Sequence, residues 1–522
     1  MIQTERMALT LHEMAEFYGL ETFDLSDFAP MTELISRFPA SLLSRENVLP
    51  LSLDSRVCKV ATSDPTRLET INLLERYSPR PIEMVLSKSE QIKRILNQQL
   101  GVAGSTIHDL VAMSEEEMPN ISIDNDLSGD PTQASSVIKL VNELISEALS
   151  QRASDIHIEP EKSELIVRFR IDGVLYQQNM PAETERFSSA IVSRIKIMAH
   201  LNIAEKRLPQ DGRFPLHQNG KETDVRVSVI PSYHGESVVL RLLSGTEQGL
   251  SLESVGLPHS IRTPWSKLIH RPHGLILVTG PTGSGKTTTL YGSLAEIRSE
   301  KTKIMTVEDP IEYKLRQVSQ IQVQSEIGLD FAAGLRSILR HDPDVILVGE
   351  IRDQETARMA VQAAMTGHLV FSTLHTNDAA GALTRLIDMG VEPYLVASTL
   401  EAVMAQRLVR RLCTACRVPI DPALLNIPKD LPEIKDVTFN QAVGCKECHN
   451  IGYSGRHAIF ELLRMDGELR RLTTTRADSV SVQNYAIQNG METLRHSAWN
   501  LVCSGITSLE EFYRVCPSDF DS

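Results

Sequence analysis

The sequence predicts an α/β protein centred on a largely parallel β-sheet with helices on both faces. Three observations lead there. Between residues 263 and 405, strand-like apolar runs alternate with helical patterns, which is how a parallel sheet with crossover helices reads along a chain. The run Leu275-Ile276-Leu277-Val278 leads directly into Gly280-Pro281-Thr282-Gly283-Ser284-Gly285-Lys286-Thr287, with helix-forming residues behind it. Polar clusters follow the four strands expected at Leu275–Val278, Lys303–Val307, Val345–Val348 and Leu369–Leu374. Open α/β sheets hold ligands at that carboxyl edge.

The flanking regions are read in order. Residues 1–105 mix amphipathic helical stretches with two short strands, Leu49–Leu53 and Val57–Ala61, around a turn at Asp54-Ser55. No catalytic constellation occurs there, so a docking or adaptor domain is expected. Residues 106–134 read as a flexible linker. Ser114-Glu115-Glu116-Glu117 is followed by Pro119, Asn120, Asn125, Gly129, Asp130 and Pro131, a polar, turn-rich composition.

Residues 135–262 read as a small α+β module. Val137, Leu140, Val141, Leu144, Ile145 and Leu149 have helical spacing, and Leu165–Ile171 and Asp224–Val229 then alternate as strands. Residues 406–460 carry two C-x-x-C pairs with Pro419, Pro422, Pro428 and Pro432 between them. The stretch 461–522 is helical, with a capping box at Thr507-Ser508-Leu509-Glu510 opening the last helix.

Composition narrows the classes. The 522 residues are 42 % hydrophobic and 23 % charged, ordinary for a globular chain with a sizeable core. A net charge of −14 disfavours nucleic acid as the main partner, although Arg407, Arg410 and Arg411 suggest a local basic patch. No run reaches the ~18–20 apolar residues of a membrane helix. The start, Met1-Ile2-Gln3-Thr4-Glu5-Arg6, lacks a signal-peptide pattern. A cytoplasmic protein that reaches a membrane only through partners is expected.

The loop at 280–287 is a phosphate cradle. Its glycines let backbone N–H groups converge on phosphate oxygens, Lys286 adds positive charge, and the Thr287 hydroxyl suits Mg²⁺. Thr288 extends this nucleotide-binding set into the helix, whose start favours anions. Transfer of a phosphoryl group to water also needs a metal-side carboxylate, a group that orients the water and positive charge on the transferring group. Glu350, after an apolar strand, suits metal or metal-bound water. Glu308, Asp309 and Glu312 suit general base work, and spacing alone does not rank them. His375 is placed to report a phosphate oxygen through a ring N–H, and His368 less so.

The pairs Cys413/Cys416 and Cys445/Cys448 form a pattern for tetrahedral Zn²⁺, closed by four thiolates and so structural. A redox C-x-x-C is the alternative, but no thioredoxin-like context surrounds either pair.

Three further stretches carry a resemblance. Thr306-Val307-Glu308-Asp309-Pro310-Ile311-Glu312-Tyr313 resembles an aspartate box. Asp342-Pro343-Asp344-Val345-Ile346-Leu347-Val348-Gly349-Glu350-Ile351-Arg352-Asp353 resembles an atypical second nucleotide motif. Thr366-Gly367-His368-Leu369-Val370-Phe371-Ser372-Thr373-Leu374-His375-Thr376-Asn377 resembles a histidine box. Together with the phosphate loop, they make residues 135–460 similar to the ATPases of the type II secretion and type IV pilus assembly family, closer to the secretion branch.

The resemblance implies a RecA-like P-loop ATPase core preceded by a PAS-like α+β domain and an N-terminal docking domain, with a small zinc-binding insertion. It implies a homo-hexameric motor that hydrolyses ATP with Mg²⁺ between subunits and drives pseudopilus assembly and protein export. Such a motor would lie peripherally at the cytoplasmic face of the inner membrane, held by platform proteins at its N-terminal domain, without direct nucleic-acid contact.

It also implies roles. Glu312 would be the general base, Glu350 the magnesium-side carboxylate, and His368 and His375 the histidine-box pair. Arginines of the preceding domain would reach the nucleotide. Lys206-Arg207-Leu208-Pro209-Gln210-Asp211-Gly212-Arg213 matches their motif, so Arg213 and Arg226 are the candidates, with Arg207 third. A planar guanidinium suits spreading phosphate charge. The rival readings are a pilus extension ATPase, a nucleotide-gated scaffold without turnover and a DNA-processing ATPase. The carboxylates argue against the second, and the net charge against the third.

Overall fold

The computed structural model describes residues 11–26, 28, 30–100, 106–107, 110, 131–218, 221–244, 251–422, 425, 427, 431 and 437–517. The chain forms two compact units, residues 1–244 and 245–522. Most of the expected linker, residues 111–130, lies outside the described residues, and 131–134 already belong to the helix Pro131–Ser150.

In the first unit, β1 (Val48–Leu53) pairs antiparallel with β2 (Cys58–Thr62), and β2 pairs parallel with β3 (Ile82–Leu86). Leu43, Leu49, Val60, Leu74 and Ile92 are buried in a core against this sheet. Two of the three strands were legible; β3 was not. A second sheet is wholly antiparallel, in the order β6-β5-β4-β9-β8-β7. Its strands are β4 (Ala153–Pro160), β5 (Leu165–Ile171), β6 (Val174–Gln177), β7 (Gln210–Gln218), β8 (Lys221–Ser232) and β9 (Gly235–Ser244). Leu165, Val167, Phe169 and Ile171 of β5 point inward in alternation, and Leu140, Val141, Leu144 and Ile145 bury the inner stripe of the preceding helix. Each pattern has the period of its element.

The second unit is a seven-stranded sheet in the order β12-β11-β13-β14-β10-β15-β18. Its strands are β10 (Gly274–Thr279), β11 (Ile304–Glu308), β12 (Val318–Gln322), β13 (Val345–Val348), β14 (Leu369–Leu374), β15 (Leu400–Leu412) and β18 (Tyr453–Arg464), while β16 (Val418–Pro419) and β17 (Asn440–Gln441) form a small separate ribbon. All sheet neighbours are parallel except β15 and β18. Alternate residues of the same strands feed two cores. Leu275, Leu277, Ile346, Val348 and Val370 face one side, whereas Ile276, Val278, Leu347 and Phe371 face the other. A central strand covered on both faces must be apolar at every position, and β10, β13 and β14 are buried throughout.

The sheet extends beyond the expected boundary at residue 405, because β15 runs to Leu412 and β18 returns beside it. The cysteine-bearing insertion is therefore residues 413–452, hung between two core strands. Arg410 and Arg407 do not form a surface patch. Arg410 pairs with buried Glu511 at 2.9 Å and lies 3.9 Å over the Tyr453 ring. Burial pushes the Glu511 carboxyl up, but the Arg514 and Arg410 guanidiniums outweigh it and hold it below the usual range. Arg407 donates to the carbonyls of Asn377 and Val515; of the three arginines, Arg411 alone is exposed. Buried Glu461 on β18 accepts from the N–H groups of Ala379 (2.8 Å) and Leu494 (3.2 Å), joining two helix starts to the sheet.

The last helix, Leu509–Val515, is capped by Ser508, whose hydroxyl accepts from Glu511 N–H at 3.1 Å. This is one residue later than expected, because the Thr507 hydroxyl is taken by the Arg410 carbonyl.

Candidate active site and metal centre

The phosphate loop follows β10 and ends where the helix Lys286–Ile297 begins, with Gly285 as its cap at φ +88°. Two glycines are required by space as well as by φ. A Cβ on Gly280 (φ +147°) would stand 2.3 Å from the Gln406 carbonyl oxygen, and one on Gly285 2.8 Å from Gln406 Nε2. Gln406 itself accepts from the Thr289 hydroxyl at 2.7 Å, so β15 braces the loop and the first turn behind it.

The Lys286 ammonium donates to the carbonyls of Gly280 (2.7 Å) and Pro281 (3.0 Å). Burial pushes its pKa down to about 8, while the charge of Glu350 works in the opposite direction. The Ser284 hydroxyl is buried and has no hydrogen-bond partner among the described residues. A loop that curls around its own lysine and strands a buried hydroxyl fits an anion carrying several acceptor oxygens. Thr287 is half-buried, whereas Pro281, Thr282, Gly283 and Thr288 are exposed on the loop and first turn.

Strand order decides which carboxylates come near. β14 lies between β10 and β13, so its tip separates the phosphate loop from Glu350. His375, at that tip, places Nε2 3.1 Å from Glu350 Oε2. Arg352 also holds Glu350 by an ion pair and lies 3.9 Å from Asp309, linking the tips of β13 and β11.

Glu308 is buried and accepts hydrogen bonds from the hydroxyls of Tyr291 and Thr306 and from Gln320 Nε2. Its carboxylate is occupied by these three hydrogen bonds inside the protein. Glu312, half-buried in the loop after β11, stands beside Tyr313, whose phenol is pushed up by burial and then by the Glu312 charge. His368 lies elsewhere. It precedes β14 at the opposite edge of the sheet, where its carbonyl accepts from Gly274 N–H at the start of β10 and its Nδ1 faces the Ala363 carbonyl at 3.0 Å. Six residues of extended strand separate the two histidines, roughly 20 Å at ~3.3 Å per residue, so within one chain they lie at opposite edges of the sheet.

In the first unit, Arg213, Arg226, Arg241, Asp155 and Arg170 are successive cross-strand partners across five strands. Such partners share a face. Buried Asp155 pairs with Arg241 at 2.9 Å and Arg170 at 3.6 Å, the two arginines nearest it in this row. Arg213 is exposed and Arg226 half-buried. Arg207 differs: Glu205 grips it at 3.1 and 2.8 Å, and the guanidinium holds that carboxyl down at about 2.

The four cysteine sulfurs lie within 4.8 Å of one another. The pairs Cys413–Cys445, Cys416–Cys448 and Cys445–Cys448 are each 3.8 Å apart. Four sulfurs at ~2.3 Å from a tetrahedral Zn²⁺ are about 3.8 Å from one another, so the donor set fits that ion and not a disulfide. Burial raises the Cys448 thiol, but the N–H groups of Cys445 and Gly452, each 3.2 Å from its sulfur, outweigh burial and favour the thiolate.

Sequence reasoning missed Gln406, Arg352, Tyr291 and Gln320. The first two had a signal, a polar residue closing an apolar strand and an arginine flanking a motif carboxylate. The last two had none, since a Tyr in a helix and a Gln on an edge strand are ordinary.

A strand–loop–helix phosphate cradle, with a carboxylate and a histidine meeting at neighbouring strand tips, defines a P-loop ATPase. The chain belongs to the type II/IV secretion system protein family, which its residues 130–514 match, and residues 18–106 match the MshEN domain. It is 42 % identical to the type II secretion system protein E of Pseudomonas aeruginosa, over 95 % of this chain and 99 % of that one. It is 40 % identical to the type IV pilus assembly ATPase PilB of Myxococcus xanthus, over 95 % and 89 %. In fold it is similar to the ATPase DotB of Legionella pneumophila, at TM-score 0.53 and 22 % identity, over 76 % of this chain and 99 % of that one. Among the described residues no helix is long and apolar enough to cross a membrane.

Proposed function

We propose that this chain is the hexameric motor ATPase of a type II secretion system, which turns ATP hydrolysis into pseudopilus assembly and protein export. The carrying observation is the meeting of Glu350 and His375 at 3.1 Å beside the loop of Lys286, in a chain 42 % identical to a type II secretion protein E. Lys286 leaves its own loop carbonyls for the β- and γ-phosphates. Thr287 and Glu350 would hold Mg²⁺, which neutralises charge on the phosphates. His375 reports the γ-phosphate, and Glu312 orients the attacking water. Arg213 and Arg226, at the richer end of the arginine row, supply charge to the transition state when subunits close. Cys413, Cys416, Cys445 and Cys448 would hold Zn²⁺, which would keep the insertion folded. The N-terminal domain docks on an inner-membrane platform protein, so the motor stays cytoplasmic and peripheral.

Phosphate release by purified Lys286→Ala is the test of the chemistry. A fall of at least about a hundredfold is expected, and wild-type turnover would refute the site. A deletion strain tests the machine. Secreted enzymes trapped in the periplasm support secretion, whereas loss of surface pili with normal secretion favours pilus assembly, the activity named for the Myxococcus relative.

A further inference from the structure

Gln320 lies on β12, outside every motif that marks the site. Its side-chain amide joins four groups on two sides of the loop that carries Glu312. Nε2 donates to Glu308 Oε1 at 3.1 Å and to the Tyr313 carbonyl at 3.0 Å, while Oε1 accepts from Leu315 N–H at 2.8 Å; the Tyr291 hydroxyl stands 3.5 Å away. Glu308 in turn accepts from Tyr291, which stands on the helix that begins at Lys286. The loop 309–315 is thus tied to the sheet at its start through Glu308 and at its end through two backbone groups. Glu312 is the residue immediately before the second tie. Only a neutral planar amide offers two donors and an acceptor in one head. A carboxylate at 320 would lose both donors and face Glu308 with like charge.

We infer that Gln320 is a positioning residue for Glu312, fixing its backbone relative to the phosphate-loop helix; this rests on the reading of Glu312 as the group that orients water. A residue that only stabilised the edge strand would lower stability without separating kcat from KM. Positioning predicts a separation, because ATP binding depends on the loop at 280–287, which Gln320 does not touch.

The test is steady-state ATP hydrolysis by the full chain with Mg²⁺. Gln320→Met is expected to lower kcat about tenfold or more with KM for ATP within about twofold of wild type. Combined with Glu312→Gln, it should cause no further loss, since both changes remove the same step. Gln320→Glu, isosteric with the native side chain, should reproduce the kcat loss and serves if the Met variant does not fold. Wild-type kcat in the variant that folds, a KM that rises in step with the loss, or losses that multiply with Glu312→Gln would each overturn the inference. Glu312→Gln with undiminished turnover would overturn the base assignment and this inference with it, whereas an inactive Glu312→Gln beside a fully active Gln320→Glu overturns Gln320 alone.

Discussion

Lys286 has a measurable consequence of lying in its own loop. Burial takes its pKa to about 8, against the opposing charge of Glu350. A phosphate beside it raises that value again. At about pH 7 and below the lysine is charged before and after nucleotide binds, and affinity is flat. Above pH 8 the empty loop holds a partly neutral amine, so binding must take up a proton. Affinity then falls as pH rises, by up to about tenfold per unit until the bound-state pKa is passed. Calorimetry of ADP binding at pH 8.5, in buffers of different ionisation enthalpy, should show uptake of roughly three-quarters of a proton, and at pH 7 about a tenth. The glycines, Lys286 and Thr287 were readable because their chemistry sits in consecutive residues. The direction of Glu308 was not readable, because its motif gives a position only: the side chain turns inward to Tyr291, Thr306 and Gln320.

At the scale of elements, β15 and β18 carry the cysteine insertion, and the insertion leans on the C-terminal helices. Phe439 lies 5.8 Å from the Trp499 ring, and Arg417 donates to the Gly505 carbonyl at 2.7 Å. Removing the metal should release this contact while leaving the phosphate loop, on β10, intact. A thiol-competing chelator is expected to change Trp499 fluorescence and expose residues 413–452 to protease, with ADP affinity held within about threefold. Loss of nucleotide binding in step with the metal would contradict a structural role. The four core strands were legible from alternation of pattern, whereas β12, β15 and β18 were not. β12 is short and polar on one face. β15 holds three arginines; the partners of two of them, Glu511, Tyr453 and two carbonyls, lie about a hundred residues or less along the chain and cannot be paired by inspection.

For the whole molecule, the proposed division of labour puts the phosphate loop in one unit and the arginine row of Arg213 and Arg226 in the other. If the site is completed by a neighbouring subunit, two inactive proteins can help each other. Arg226→Ala mixed with Lys286→Ala should recover a measurable fraction of wild-type phosphate release after subunit exchange, because some interfaces combine an intact loop with an intact arginine row. Activity that stays at the level of the separate variants would mean that each chain completes its own site. The net charge of −14 sets the background for this, since an arginine row in an acidic chain is a local field that salt screens within about 8–10 Å.

The sequence alone determined the parallel sheet, the phosphate cradle, the place of Glu350 after an apolar strand and the tetracysteine cluster. Each is written in spacing: period two or full burial in strands, glycines before Lys-Thr, and cysteines two residues apart. Tertiary structure alone decided which polar groups share a place. Strand order put β14 between β10 and β13, so His375 met Glu350 while His368 went to the far edge. It also turned Glu308 inward and enlisted Gln320 and Gln406 as braces, because hydrogen bonds between residues distant in sequence exist only once packing has fixed which side chains face each other.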